Sequence, residues 1–223
     1  MRTINQCLKG TILYEGGSDS SNFPGEENEL LYHCTMDSAE KHGHKVINFG
    51  CYEDESCCFS YIEIAVMISM LLSSRSIDFV VTGCSSGQGM MIACNSLPNI
   101  ICGYTANPQD AFLFGRINDG NAVSIPLGLN FGWAGEINLQ CTLEKLFEDE
   151  FGIGYPPEDA DRKKRDTLLL KEINGLTKRN AIDVFERLDK ALIQKVIQKT
   201  NVMEYILVHG KDREILEFIQ SKR

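Results

Sequence analysis

Apolar and polar positions alternate in blocks along the first two-thirds of the chain. Residues 11–14 (TILY), 45–49 (KVINF), 77–82 (IDFVVT), 100–104 (IICGY) and 122–125 (AVSI) are short and mostly apolar. Such runs, bounded by turn residues, predict strands buried on both faces. Between them the apolar spacing changes to three and four. Residues 29–42 place Leu30, Leu31, Cys34 and Ala39 on one side, and Gly43 follows as a helix stop. Residues 61–72 are apolar nearly all round, which predicts a buried helix. Residues 89–96 (stopped by Pro98), 109–117 and 135–150 complete the series, the last with Ile137, Leu139, Leu143, Leu146 and Phe147 on one side. Strands separated by helices imply a parallel sheet covered on both faces. The expectation is a Rossmann-like α/β domain of three layers over residues 1–155. Ligands of such sheets bind outside the carboxyl ends of the strands, so the loops after Tyr14, Thr82, Tyr104 and Ile125 carry the interest.

The pattern changes after Gly154. Tyr155, Pro156 and Pro157 punctuate the chain, and residues 156–223 are charged and helical in period. Residues 181–199 place Ile182, Phe185, Leu188, Leu192 and Val196 three and four apart, and residues 212–222 do the same with Ile215, Leu216, Phe218 and Ile219. This helical extension must lay an apolar face on the main domain or on a partner subunit.

Composition narrows the class. In 223 residues, 43% are hydrophobic and 24% charged, with 19 Gly and 6 Pro, which excludes collagen, low-complexity disorder and a disulfide miniprotein. A net charge of −9 argues against nonspecific nucleic-acid binding, which needs a basic surface. The longest apolar stretch, residues 64–72, falls far short of the ~20 residues a bilayer span needs. The N-terminus lacks a signal-like apolar region. Nine scattered cysteines, an odd number, then predict reduced thiols in a cytoplasmic protein. With no CxxC pair and only four His, no metal site is expected.

One segment carries chemistry. Residues 80–95 read VVTGCSSGQGMMIACN, a buried strand running through a small-residue loop into a helix. Gly83, Ser85, Ser86, Gly87 and Gly89 let backbone N–H groups converge on a ligand, and the helix adds its positive end. The loop is neither a P-loop nor a dinucleotide fingerprint, since it lacks the Gly-Lys-Ser/Thr and the glycine spacing. A thiol at Cys84, close to a helix N-terminus, is placed to ionise and to act as base or nucleophile. Cys94 reads as core.

These residues resemble the RpiB/LacA/LacB family of sugar-phosphate isomerases, ribose-5-phosphate isomerase type B and the galactose-6-phosphate isomerase subunits. Residues 43–50 (GHKVINFG) resemble its second strand. Residues 84–95 (CSSGQGMMIACN) resemble its Cys-Gly-Thr-Gly-x-Gly loop and Ala-Asn helix, and residues 118–122 (NDGNA) its Asn-Asp-x-Asn stretch. The resemblance spans about residues 10–155. It implies a five-stranded parallel sheet in the order 2-1-3-5-4 and a homodimer, or a dimer of dimers, with shared sites. It also implies aldose–ketose isomerisation of a small sugar phosphate through a cis-enediolate, without metal or cofactor. Cys84 falls on the general base, Ser86 on the Thr associated with ring opening, and Asn118 on the Asn that supports the intermediate from the partner subunit. Ser85, Gly87, Gln88 and Gly89 line the pocket.

The sequence departs from the family at three places. The Asp-His after the first strand becomes Tyr14, Glu15, Gly16 and Gly17, leaving Glu15 as the substitute. The His before the Asn-Asp stretch becomes Ile117. The phosphate-gripping arginines are absent from the region of Tyr155–157, where Arg116 and the run of residues 162–165 are the cations at hand. Asn107, before Pro108, is a further candidate contact, and Phe131 and Trp133 are candidates to roof the pocket. Two other readings stand beside the isomerase: a noncatalytic sugar-phosphate-binding or regulatory protein, motivated by Ile117, and a thiol hydrolase, for which no His–acid pair is placed.

Overall fold

A computed structural model describes residues 9–14, 24–50, 59–129 and 133–223. Strands β1 (Lys9–Tyr14), β2 (Lys45–Asn48), β3 (Phe79–Cys84), β4 (Cys102–Tyr104) and β5 (Ala122–Pro126) form one parallel sheet in the order β2-β1-β3-β5-β4. The α/β reading holds. Val80 pairs with Ala122 and Cys84 with Pro126, so β3 and β5 run level for their whole length. Both are buried throughout, which is why neither alternates polar and apolar residues.

Helices α1 (Pro24–Ala39), α2 (Tyr61–Ser73), α3 (Gln88–Asn95), α4 (Pro108–Leu113) and α5 (Gly135–Phe147) connect and cover these strands. One face of the sheet meets α1, α4 and α5 through Leu31, Val81, Val123, Leu139 and Leu143. The other meets α2 and α3 through Val80, Met67, Leu71 and Met90. Two connections differ from the periodicity. The helix expected over 109–117 ends at Leu113 and continues as one π-helical turn, Phe114–Asn118, which Asp119 closes in a left-handed conformation. Gly43, φ +77°, closes a 3₁₀ turn after α1.

Ser60 starts α2 with a capping box: its amide donates to Glu63 Oε2 at 2.5 Å and its hydroxyl accepts from the Glu63 amide. Eleven of the thirteen residues of α2 are buried, more than one sheet face can cover. The extension covers the rest. Helices α6 (Ala160–Thr177), α7 (Ala181–Arg187), α8 (Lys190–Ile197), α9 (Thr200–His209) and α10 (Arg213–Lys222) follow α5, and α7, α8 and α9 pack on α2. Phe185, Val196, Met203, Ile206, Phe218 and Ile219 join the same core as α2 and the sheet. Each such side chain contributes about 1.5–3 kcal/mol by leaving water.

The single helix expected over 181–199 is two. Asp189 Oδ1 accepts from the amides of Ala191 and Leu192 and starts a new helix, while Leu188 is extended. Helix α9 had no counterpart in the apolar spacing. Helix α6 is different from its neighbours, with only Thr167 buried. Among the described residues, no helix is long and apolar enough to cross a membrane, and no group of three or more His, Cys, Asp or Glu is placed to hold a metal.

Candidate active site

The chain turns sharply where β3 ends. Cys84 is the last strand residue and is 9% exposed. Its carbonyl accepts from the amides of Gly87 (3.1 Å) and Leu127 (3.0 Å), and the Ser85 carbonyl accepts from Gly128 (2.9 Å). The loop after β3 is thereby sewn to the loop after β5. Gly87 caps α3 at φ +72°, and a Cβ there would lie 2.7 Å from Tyr104 Cε2 and 3.0 Å from the Pro126 nitrogen. Only glycine fits. The Gly87 carbonyl accepts from Ser124 Oγ at 2.7 Å and from the Met91 amide, so the turn is held from below.

This turn aims the first-turn amides of α3 outward. The Gln88 amide donates to Ser86 Oγ at 3.3 Å. Those of Gly89 and Met90 have no preceding helical carbonyl to use. A Cβ on Gly89 would sit 4.0 Å from Cys84 Sγ and 3.8 Å from the Tyr61 ring. The missing side chain therefore leaves a space walled by the thiol, the amides and an aromatic ring. Ser85 and Gln88 are exposed and Ser86 is half-buried beside it. Two other described cysteines are held as thiols. Burial, reinforced by Asp37, pushes Cys34 up to about 11. A hydrogen bond with Cys94 and burial push Cys102 well above its ordinary value. Cys84 alone among the described cysteines ends a strand beside a helix N-terminus.

Cys84, Ser85, Ser86, Gly87, Gln88 and Gly89 are thus together. The other anticipated residues are not. Glu15 and Phe131 lie outside the described residues. Asn107 is on the same edge of the sheet, but its side chain is engaged: Oδ1 accepts from the Asp110 amide (2.9 Å) and Nδ2 donates to Asp110 Oδ2 (2.8 Å), capping α4. Trp133 is fully exposed after β5. Asn118 and Arg116 lie towards the opposite, amino-terminal end of the strands. Asn121 precedes Ala122, which pairs with Val80 at the start of β3, whereas Cys84 is four residues further along. At ~3.3 Å per residue, strand length alone separates the two levels by roughly 13 Å. Asn118 is exposed there. Arg116 is a correction to the expected substrate contact: it is 1% exposed, donates from Nη2 to the Leu146 carbonyl at 2.9 Å and stacks on Phe151 at 5.2 Å. Burial lowers its pKa against the pull of nearby Asp149 and Glu148. Such a guanidinium braces the fold and does not reach a ligand of its own chain's Cys84 loop. Tyr61 is the residue the sequence reading missed. It reads only as the first residue of an apolar helix, and nothing in the spacing shows that the helix begins beside the loop.

Comparison with known proteins bears on the fold and the family. The family model described as Ribose/Galactose Isomerase matches residues 17–141, more than half of the chain. A crystal structure of 4-deoxy-L-threo-5-hexosulose-uronate ketol-isomerase complexed with a tartrate is 34% identical, with a TM-score of 0.88 over 96% of this chain and 99% of that one. Ribose-5-phosphate isomerase from Vibrio parahaemolyticus is 32% identical, with a TM-score of 0.88 over 98% and 100%. A ribose 5-phosphate isomerase from Thermotoga maritima, 21% identical over 72% of this chain and 97% of that one, shares the fold (TM-score 0.51). No curated protein matches. With the family model over residues 17–141 and two solved structures above 30% identity along nearly its whole length, this chain belongs to the Ribose/Galactose Isomerase family.

Proposed function

We propose that this sugar isomerase interconverts an open-chain aldose and its ketose through a cis-enediolate, with Cys84 as the base. The observation that carries it is the thiol facing the open side of Gly89 next to the first-turn amides of α3. The thiolate removes the proton from the carbon beside the carbonyl, and that C–H electron pair becomes the carbon–carbon double bond. The carbonyl oxygen becomes an oxyanion where the Ser85–89 amides point. The thiol then returns the proton to the former carbonyl carbon, while the hydroxyl on the carbon first deprotonated passes its proton to the oxyanion and becomes the new carbonyl. No electrons are gained or lost overall, so the step needs no redox cofactor. Ser86 and, from its sequence position, Glu15 contact substrate hydroxyls, and Asn118 of a second subunit supports the intermediate.

Two substrate classes are in view, a small sugar phosphate and a hexosulose-uronate, each named in a full-length relative. The described strand-end loops favour the second: residues 84–89, 105–107 and 127–129 contain no Lys or Arg, and Lys195 and Lys199, which approach that end, are engaged by Glu63 and the Gly50 carbonyl. An uncompensated dianionic phosphate costs more to bury there than a single carboxylate. Proton NMR in deuterated solvent, against phosphorylated pentoses and hexoses and against unphosphorylated hexosulose-uronates, tests both statements. Exchange at the carbon next to the carbonyl with the uronates, abolished in Cys84→Ala, is expected. Exchange with phosphorylated sugars alone refutes the substrate class, and turnover retained in Cys84→Ala refutes the base.

A further inference from the structure

We propose that the cleft between α6 and the amino-terminal end of the sheet is a second ligand site, built to take a hydroxylated organic phosphate. The cleft has a volume of about 880 Å³, within the range that small-molecule sites occupy. Ile77, Phe79 and Ile101 line it on the side of the sheet, and the second half of α6 with the starts of α7 and α10 lines the other. It lies apart from the isomerase site. Phe79 opens β3 and Cys84 ends it, roughly 17 Å further along the strand. Neither Asn118 nor any of residues 162–165 is part of its walls.

The charges on the walls point to the ligand. The chain carries a net charge of −9, yet Arg75, Lys171, Lys178, Arg179 and Lys211 all line this cleft. Two of them are spent on the protein itself: Lys171 Nζ pairs with Asp119, and Lys178 Nζ donates to the Asn95 and Leu97 carbonyls. The side chains of Arg75, Arg179 and Lys211 have no ion-pair or hydrogen-bond partner among the described residues. The Ser74 carbonyl accepts from the Lys211 amide at 2.7 Å, so Arg75 and Lys211 are fixed as neighbours through the main chain. Of the four carboxylates on the walls, Asp119 is paired, and Asp212 Oδ1 accepts from the Ile215 amide to start α10. Asp78 and Glu214 are left to accept from ligand hydroxyls. Two guanidinium forks and an ammonium suit a phosphate.

The backbone gives a second, independent sign. Helix α2 ends in a Schellman turn, with the Arg75 amide donating to the Leu72 carbonyl at 3.1 Å and the Ser76 amide to the Leu71 carbonyl at 3.3 Å. The left-handed position of such a turn ordinarily holds glycine, and here it holds an arginine at φ +57°. A Cβ disfavours that conformation, so the turn by itself does not account for the side chain. Asn99 (φ +61°) and Asp119 (φ +45°) line the same cleft, which thus gathers three of the four left-handed residues other than glycine among those described. Strained backbone collects where ligands are held.

Isothermal titration of the full chain with 6-phosphogluconate tests the site, because this organic phosphate has no aldehyde or ketone to isomerise. The wild type is expected to bind it, and to bind gluconate, the same acid without the phosphate, at least about tenfold more weakly. At a hundred times the Kd, 6-phosphogluconate should raise the melting point by roughly 5–10 °C. Arg75→Gly and, separately, Lys211→Ala should each weaken binding about tenfold or more. Arg75→Gly also relieves the left-handed turn, so without ligand it should melt no lower than the wild type, and its loss of binding then cannot come from unfolding. Gly89→Leu fills the space beside Cys84 and should bind 6-phosphogluconate as the wild type does. No binding at millimolar concentration, equal binding of gluconate, undiminished binding in Arg75→Gly or Lys211→Ala, or loss of binding in Gly89→Leu overturns the proposal.

Discussion

Replacing Gly87 by Ala probes the turn on which the whole site depends. Gly87 has φ +72°, and the added Cβ would stand 2.7 Å from Tyr104 Cε2, 3.0 Å from the Pro126 nitrogen and 3.1 Å from the Ile125 carbonyl carbon. The left-handed backbone costs about 1–2 kcal/mol for a residue with a Cβ. Overpacking against a ring and two backbone atoms costs a further ~1–3 kcal/mol. Restricting the unfolded chain returns about 0.4–1 kcal/mol. The net is about 2–4 kcal/mol. For a chain of this size, at about 2–4 °C per kcal/mol, calorimetry should show a melting point lower by roughly 5–15 °C. Gly43→Ala is the matched control. Its φ is +77°, but nothing lies within 4 Å of the added Cβ. It carries the left-handed penalty and the unfolded-state gain without the clash, so its loss should be about 1 kcal/mol. Activity separates the two further. Moving the α3 amides by about 1 Å from the forming oxyanion should lower turnover by ~10²-fold in Gly87→Ala and leave Gly43→Ala unchanged. Equal melting points for the two variants would refute the claim that contact with Tyr104 and Pro126 fixes this loop.

Three further outcomes follow from the same contacts. Asp189→Ala, which removes the acceptor shared by the Ala191 and Leu192 amides, should cost about 1 kcal/mol in urea titrations without changing the fold. Thr167→Val should cost about 1 kcal/mol in urea titrations by orphaning the Ile117 carbonyl. Alkaline stability should report Cys34. Burial holds its folded pKa at about 11, above the ordinary thiol value of 9.0, so between these limits the unfolded chain has released a proton that the folded chain retains. Stability contributed by the protonated thiol is complete below pH ~9 and falls as pH rises towards 11, and Cys34→Ala should flatten that slope in melts taken across the range.

Some of the structure is legible in local patterns and some is not, and the boundary follows the range of the physics involved. Gly43 announces a helix end because its left-handed backbone is a one-residue property. The Cys84–89 loop is legible because a strand running through small residues into a helix has few conformations open to it. Asn107 looked like a ligand contact because a loop asparagine before Pro108 is equally suited to both tasks. Only the distances to Asp110 show that it caps α4. Arg116 looked like a free cation because nothing local reveals that Leu146 and Phe151, thirty and thirty-five residues away, enclose it. The break at Asp189 hides in an apolar spacing that continues unchanged across it.

What the sequence determined alone is the alternation of buried strands and amphipathic helices, the α/β class and the position of a thiol between a strand end and a helix N-terminus. All of these arise from interactions within about a dozen residues. Tertiary structure alone decided that Tyr61 walls the site and that the extension completes the burial of α2. It also decided that α6 is locked to the Asn118 loop and that Asn118 faces away from its own Cys84. Those facts depend on pairs of residues up to some 150 positions apart, such as Lys199 Nζ on the Gly50 carbonyl at 3.1 Å. Periodicity records which side of an element is apolar. It does not record which distant surface, in this chain or in a second copy, that side will meet.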